Sequence, residues 1–271
     1  RSLQSEGLNT YIYTGNYYVP PVTLTGSILS DIVFVDKVIG VGEIAIADYR
    51  STYPGVDDLK KIAAEAIKGG MLSGKAGVVH MHVGDGKEGL SALFKLINET
   101  DFPVEMFVPT HINRNRVLFE QAMEFARKGG YIDITAGERS NAGLSVPDAI
   151  SLLLQKGINI ENITVSSDGN GSMPSIGGNG SNTISTVLQL FDDIRKCVLN
   201  KGIGFETGIK TVTSNVAKVL KIYPQKGTLS RGSDADILVL NKDDLGVDKV
   251  IINGSVMIDG GKVLKKGNFE K

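Results

Sequence analysis

Apolar and polar positions along this chain follow two rhythms that take turns. Short runs of apolar and β-branched residues at 10–14, 38–46, 77–83, 104–108, 131–135 and 163–167 predict buried strands. Between them, apolar residues recur at helical spacing over 56–67, 89–97, 117–127 and 147–155. Lys128-Gly129-Gly130 and Lys156-Gly157 end two of these segments as glycine C-caps do. Repeated strand–helix–strand units predict a parallel sheet, either a closed barrel or an open doubly wound sheet. No glycine-rich dinucleotide fingerprint opens the first helix, which counts against a Rossmann reading. Longer helical stretches follow at 183–199 and 205–220. The texture then changes to short apolar runs joined by Asn-Gly and Asp-Gly, which are hairpin signals. The pattern divides the chain into an α/β domain at 1–222 and a small β-domain at 223–271.

Bulk properties narrow the function classes. With 41% hydrophobic and 22% charged residues, the 271-residue chain has the balance of a soluble globular protein with ample core. A net charge of −1 carries no electrostatic footprint for nucleic acid or an anionic membrane. No 18-residue apolar span occurs, and residues 1–10 do not read as a signal peptide. The single cysteine, Cys197, excludes an intramolecular disulfide and fits a reducing cytoplasm. It falls within a helical pattern and reads as structural.

The candidate chemistry gathers at strand ends. The three histidines, His80, His82 and His111, all lie at or near strand termini, and Val165-Ser166-Ser167-Asp168-Gly169 delivers a carboxylate to the end of the last α/β strand. In a (β/α)8 barrel, functional groups sit at the C-terminal strand ends. Imidazole and carboxylate groups converging there suit zinc or a similar divalent ion.

The motifs Gly15-Asn16-Tyr17-Tyr18-Val19-Pro20, Pro109-Thr110-His111-Ile112-Asn113-Arg114-Asn115, Phe125-Ala126-Arg127-Lys128-Gly129-Gly130 and Val165 to Ser172 (VSSDGNGS) together resemble β-aspartyl (isoaspartyl) dipeptidases of the amidohydrolase superfamily. The resemblance runs over essentially the whole chain. It implies a metal-dependent (β/α)8 TIM-like barrel with a small C-terminal β-domain, hydrolysing the isopeptide bond of β-aspartyl dipeptides with two zinc ions. In that register residues 10–14 form the third strand. Strands three to eight are then present, and the first two, with their His-x-His pair, lie outside the given residues, in roughly 100–120 residues by barrel topology. The resemblance further implies a cytoplasmic homo-oligomer acting on a small dipeptide.

Carried over residue by residue, His82 and His111 match metal ligands, and Asp168 matches the ligand that also serves as general base. His80 lies one layer deeper and is not assigned as a ligand. The family's metal-bridging position, ordinarily a carboxylated lysine, falls on Glu43 here, because Lys37 comes too early. A glutamate can bridge two ions but is shorter, and Gly42 before it allows the backbone a closer approach. Arg50 and Arg114 match groups that grip the substrate carboxylates with a planar fork. Tyr17 matches the tyrosine that polarises the scissile carbonyl, with Tyr18 its structural neighbour, and Ser172 matches a substrate-contacting serine. Rival readings are a dihydroorotase-like or deaminating amidohydrolase on the same frame, and a non-catalytic scaffold or binding subunit.

Overall fold

The computed structural model describes residues 2–138, 142–174 and 182–267. After a short helix α1 (Ser2–Ser5), strands and helices alternate as β1 (Ile12–Thr14), α2 (Ile28–Phe34), β2 (Val38–Ile46), α3 (Val56–Ser73), β3 (Val78–Val83), α4 (Ser91–Glu99), β4 (Phe107–Thr110), α5 (Arg116–Arg127), β5 (Ile132–Thr135), α6 (Val146–Gln155) and β6 (Ile163–Ser166). A ribbon follows, made of β7 (Ser172–Pro174) and β8 (Asn182–Ile184), then α7 (Leu188–Leu199), α8 (Phe205–Lys210) and α9 (Ser214–Val219). The tail forms β9 (Ile237–Leu240), β10 (Val247–Ile252), β11 (Ser255–Asp259) and β12 (Lys262–Val263).

Strands β1 to β6 are all parallel to their hydrogen-bonded neighbours, in the orders β1-β2-β3-β4 and β5-β6. The two sets meet where the Ile112 N–H donates to the Asp133 carbonyl at 3.3 Å and the Thr110 hydroxyl to the Asp133 carboxylate at 2.7 Å. From β2 to β6 the apolar residues are buried with little alternation, as strands covered on both faces require. One continuous core joins Val41, Ile44, Met81, Phe107, Ile134 and Ile163 to Leu59, Ile62, Leu93, Phe119, Met123 and Ile150 on the helices. Among the described residues, no helix is long and apolar enough to cross a membrane.

The tail is a four-stranded antiparallel meander, order β12-β11-β10-β9. Asn253-Gly254 joins β10 to β11 with φ of 49° and 74°, and Gly260-Gly261 joins β11 to β12 with 56° and 72°. These are the positive φ values that a two-residue hairpin turn demands.

Three expectations shift. The helix expected over 183–199 begins only at Leu188, because residues 182–184 pair antiparallel with 172–174. The β-branched run Thr183-Ile184 and Thr186-Val187 favours that extended start. The helix expected over 205–220 is two helices, broken where the Thr211 and Thr213 hydroxyls bond back to the Gly208 and Ile209 carbonyls. Residues 104–106 form a 3-10 turn after Pro103, so β4 starts at Phe107 and ends directly before His111. Helix α2 was not anticipated; its N-cap is Ser27, whose hydroxyl accepts the Ser30 N–H.

Asp31, wholly buried in α2, fastens this helix to the end of β1. It accepts the Thr14 hydroxyl, the Leu24 and Thr25 amides at 2.8 and 2.7 Å, and the Thr25 hydroxyl at 2.6 Å. Burial pushes its carboxyl up, but those donors together hold it below the usual range. A depressed folded pKa means that the stabilisation is present above the ordinary aspartate pKa and is lost as pH falls through the folded value. Asp31→Asn is expected to lower stability by about 1–3 kcal/mol at neutral pH. Urea unfolding should show the gap to wild type narrowing below pH of about 4.

Candidate metal centre

The site is built at the C-terminal ends of β2, β3 and β4. The pairing of β2 with β3 breaks register between Val41 and Ile44, and Glu43 sits in that break. A bulge of this kind re-aims a side chain. The Gly42–Glu43 peptide is cis. A β-carbon on Gly42 would lie 2.8 Å from His80 Cβ and 2.9 Å from its carbonyl oxygen, so only glycine lets the strands approach this closely.

Glu43, His82 and His111 bring one donor atom each within 4.8 Å of the others. Glu43 Oε2 is 3.4 Å from His82 Nδ1, and Oε1 is 4.0 Å from His111 Nε2. Ligands around a tetrahedral zinc stand about 3.3 Å apart for bonds of about 2.0–2.1 Å. The donor set therefore fits a divalent ion. His111 follows β4 in a left-handed conformation, φ 63°. Its Nδ1 lies 2.6 Å from the Thr135 hydroxyl, which leaves Nε2 for the cluster. His82 and His111 are buried, with ring centroids 4.5 Å apart.

The electrostatics match ligand duty. Burial raises the Glu43 carboxyl, but the His82 hydrogen bond, then the electrostatic pull of the surrounding imidazoles, outweighs it and holds the group at about 2. Burial, then the charges of Arg114 and His82, push His111 well below the ordinary histidine value, so it is a neutral imidazole. His80, not assigned as a ligand from sequence, has Nε2 3.7 Å from Glu43 Oε1 and stacks on Tyr13.

Around this core stand the other expected residues. The Tyr17 hydroxyl is 2.8 Å from His82 Nδ1, and burial and the Glu43 charge raise its pKa, so it stays a donor. Arg50 grips Asp48 with Nε and a terminal nitrogen at 3.0 and 2.7 Å, and that terminal nitrogen is 3.2 Å from His82 Nε2. Arg114 donates to the Val83 carbonyl at 3.0 Å and approaches the same His82 nitrogen at 3.5 Å. Both guanidinium groups thus converge on one edge of His82. Gly15, Tyr17, Tyr18, Gly42, Glu43 and Arg50 line a cleft of about 540 Å³.

Asp168 lies at the rim, φ 46°, and is not one of the three donors within 4.8 Å. Burial first, then the Glu43 charge, raises its pKa. A β-carbon on Gly171 would stand 2.4 Å from Asp168 Oδ1, so the loop glycine makes room for this carboxylate. The Gly171 N–H and the Ser185 hydroxyl both bond to the Asp168 carbonyl. Ser172 pairs through its backbone with Ile184, and its side chain lies outside the described residues.

Sequence reading passed over four supporting residues. Asn113, fully buried, accepts the Thr135 N–H and donates to the Thr135 and Leu144 carbonyls, locking the loop after His111. Asp133 accepts the hydroxyls of Thr110, Thr164 and Ser166, tying β4, β5 and β6 together. Thr135 aligns His111, and Asp48 anchors Arg50. The Asn in Pro-Thr-His-Ile-Asn-Arg-Asn and the Asp-x-Arg spacing were the available signals.

Residues 79–257 match the sequence profile of the Amidohydrolase family. The chain belongs to this family. It is similar to the crystal structure of β-aspartyl dipeptidase from Fervidobacterium islandicum AW-1 in complex with a β-Asp-Leu dipeptide, at 45% identity and a TM-score of 0.91. That match covers 99% of this chain and 69% of the dipeptidase. A D-hydantoinase from Bacillus sp. AR9, 15% identical over 98% of this chain and 74% of its own, shares the fold with a TM-score of 0.59. The L-hydantoinase of Paenarthrobacter aurescens is 41% identical over 73 residues, which are 26% of this chain and 15% of that protein's length.

The alignment of His111 by Thr135 in this amidohydrolase leads to a test. Thr135→Val keeps the shape and removes the hydroxyl, and zinc affinity measured by chelator competition should fall about 10–100-fold. Unchanged affinity would deny Thr135 that role.

Proposed function

We propose that this amidohydrolase hydrolyses the isopeptide bond of β-aspartyl dipeptides with metal held by Glu43, His82, His111 and Asp168. The observation that carries the reading is the convergence, on the two edges of His82, of a Glu/His/His donor set and of two arginines suited to a substrate with two carboxylates. The similarity at 45% identity to a β-aspartyl dipeptidase bound to β-Asp-Leu supports the same substrate. We further read the parallel strands as part of a (β/α)8 barrel over 1–222, with a separate small domain from 223, in a cytoplasmic homo-oligomer. The complete site takes two zinc ions. Glu43 directs Oε2 toward His82 and Oε1 toward His111, and a carboxylate using both oxygens can span two ions.

The bound metal supplies Lewis acidity and lowers the pKa of water toward neutrality. Asp168 takes the proton of the attacking water on its carboxylate and returns it to the leaving amine. Its raised pKa brings it closer to the operating range of such a base. The Tyr17 hydroxyl, kept protonated, donates to the carbonyl oxygen as negative charge develops there. Arg50 and Arg114 bind the two carboxylates and fix register, which puts the carbonyl of an ordinary α-dipeptide out of reach. Ser172, in the loop after Asp168, adds a substrate contact.

The test is turnover of β-Asp-Leu, α-Asp-Leu and a hydantoin side by side. Only the β-aspartyl peptide should be cleaved, with activity removed by chelator and restored by zinc. Asp168→Asn should lower kcat by about 10²–10⁴-fold, and Arg114→Ala should weaken kcat/KM by about 10–100-fold, for a lost charge-assisted hydrogen bond. Preference for the hydantoin, the cyclic amide for which the similar hydantoinases are named, or wild-type turnover by Asp168→Asn would overturn the reading.

A further inference from the structure

We propose that Asp48 is a positioning residue serving both halves of the site: its carboxylate fixes His82 as the tautomer protonated on Nε2, freeing Nδ1 to ligate, and holds Arg50 at the mouth of the cleft. This rests on the reading of Glu43, His82 and His111 as metal donors.

Asp48 lies two residues beyond the end of β2 and is 4% exposed. Oδ1 accepts the Arg50 backbone N–H at 2.7 Å and its Nε–H at 3.0 Å. Oδ2 accepts a terminal Arg50 N–H at 2.7 Å and stands 3.0 Å from His82 Nε2. Asp48 packs closely against Gly84, where a β-carbon would lie 2.5 Å from Asp48 Cβ, so only glycine at 84 leaves it this place. One buried acceptor therefore serves an arginine fork and an imidazole edge together.

Two donors also face His82 Nε2, from Arg50 at 3.2 Å and Arg114 at 3.5 Å. Each has a shorter bond to an acceptor of its own, Arg50 to Asp48 at 2.7 Å and Arg114 to the Val83 carbonyl at 3.0 Å. The nearest group to Nε2 is the carboxylate, which can only accept, so the ring nitrogen is the donor. On the opposite edge, Nδ1 faces the Tyr17 hydroxyl at 2.8 Å and Glu43 at 3.4 Å. A lone pair there accepts from the tyrosine in the free protein and points into the donor cluster. A carboxylate behind a ligating histidine orients the ring and raises its basicity. Here the same carboxylate also neutralises and aims the arginine, so ligand and substrate grip are set by one group.

The experiment is histidine ¹⁵N NMR on the metal-free protein, in which three imidazoles give a resolvable spectrum. His82→Gln supplies the assignment. Wild-type His82 is expected to carry its proton on Nε2. In Asp48→Asn the amide oxygen stays on Arg50 and the NH₂ turns to Nε2, so the proton should move to Nδ1, as carboxylate-to-amide exchange beside a histidine does. Zinc affinity by chelator competition should then fall about 10–100-fold, and KM for β-Asp-Leu should rise. A wild-type His82 protonated on Nδ1 would overturn the proposal without any variant, as would an Asp48→Asn protein with unchanged tautomer and zinc affinity. A wild type with the Nε2–H tautomer but no action on β-Asp-Leu would support the role of Asp48 and remove the substrate assignment alone.

Discussion

Glu43 is a carboxylate set among three imidazoles in a part-buried strand break, and the rest of the site compensates for that placement. A charge withdrawn from water must be paired or ligated. Here the hydrogen bond from His82, with His80 close by, outweighs the burial and keeps the group ionised. The geometry exists because β2 and β3 approach so closely at Gly42 that no side chain fits between them. Three negative or lone-pair donors facing one another are stable as a ligand set and poor as a plain core, which is why the arrangement reads as chemistry.

The layer behind the donors is rigid and polar. Asp133, on β5, gathers hydroxyls from the strands on either side of it, Asn113 ties the loop after His111 to β5 and to Leu144, and Thr135 sets the His111 ring. Every one of these groups is buried and satisfied by named partners, so the network specifies one geometry. On the other flank, Asp48 and Arg50 do the same for His82. The site is thus held from both sides by hydrogen bonds, with the hydrophobic core beneath it.

Much of this was legible in the residues. The six parallel strands and the principal helices follow from periodicity, and the Pro-Thr-His-Ile-Asn-Arg-Asn stretch marked the end of β4. Glu43, His82 and His111 were named from motif register and do come together, as do Tyr17, Arg50 and Arg114 around them. What stayed hidden depends on tertiary contacts. The extended start at 182–184 exists because it pairs with 172–174, and periodicity cannot see a partner. The later start of β4, at Phe107 rather than 104, follows a 3-10 turn after Pro103 that reads as strand by composition. Asp48 looks like a solvated surface aspartate until β3 is placed beside it. His80 came out nearer to Glu43 than its place one layer deeper suggested, because the bulge at Glu43 carries the carboxylate between both histidines.

The central claim is that Glu43, His82 and His111 hold a metal ion together. Anomalous diffraction at the zinc edge from zinc-loaded crystals tests it most directly. A peak is expected within about 2.0–2.2 Å of a Glu43 carboxylate oxygen, His82 Nδ1 and His111 Nε2. A zinc-loaded protein with no peak among these three side chains, or with zinc bound only elsewhere on the chain, would contradict it.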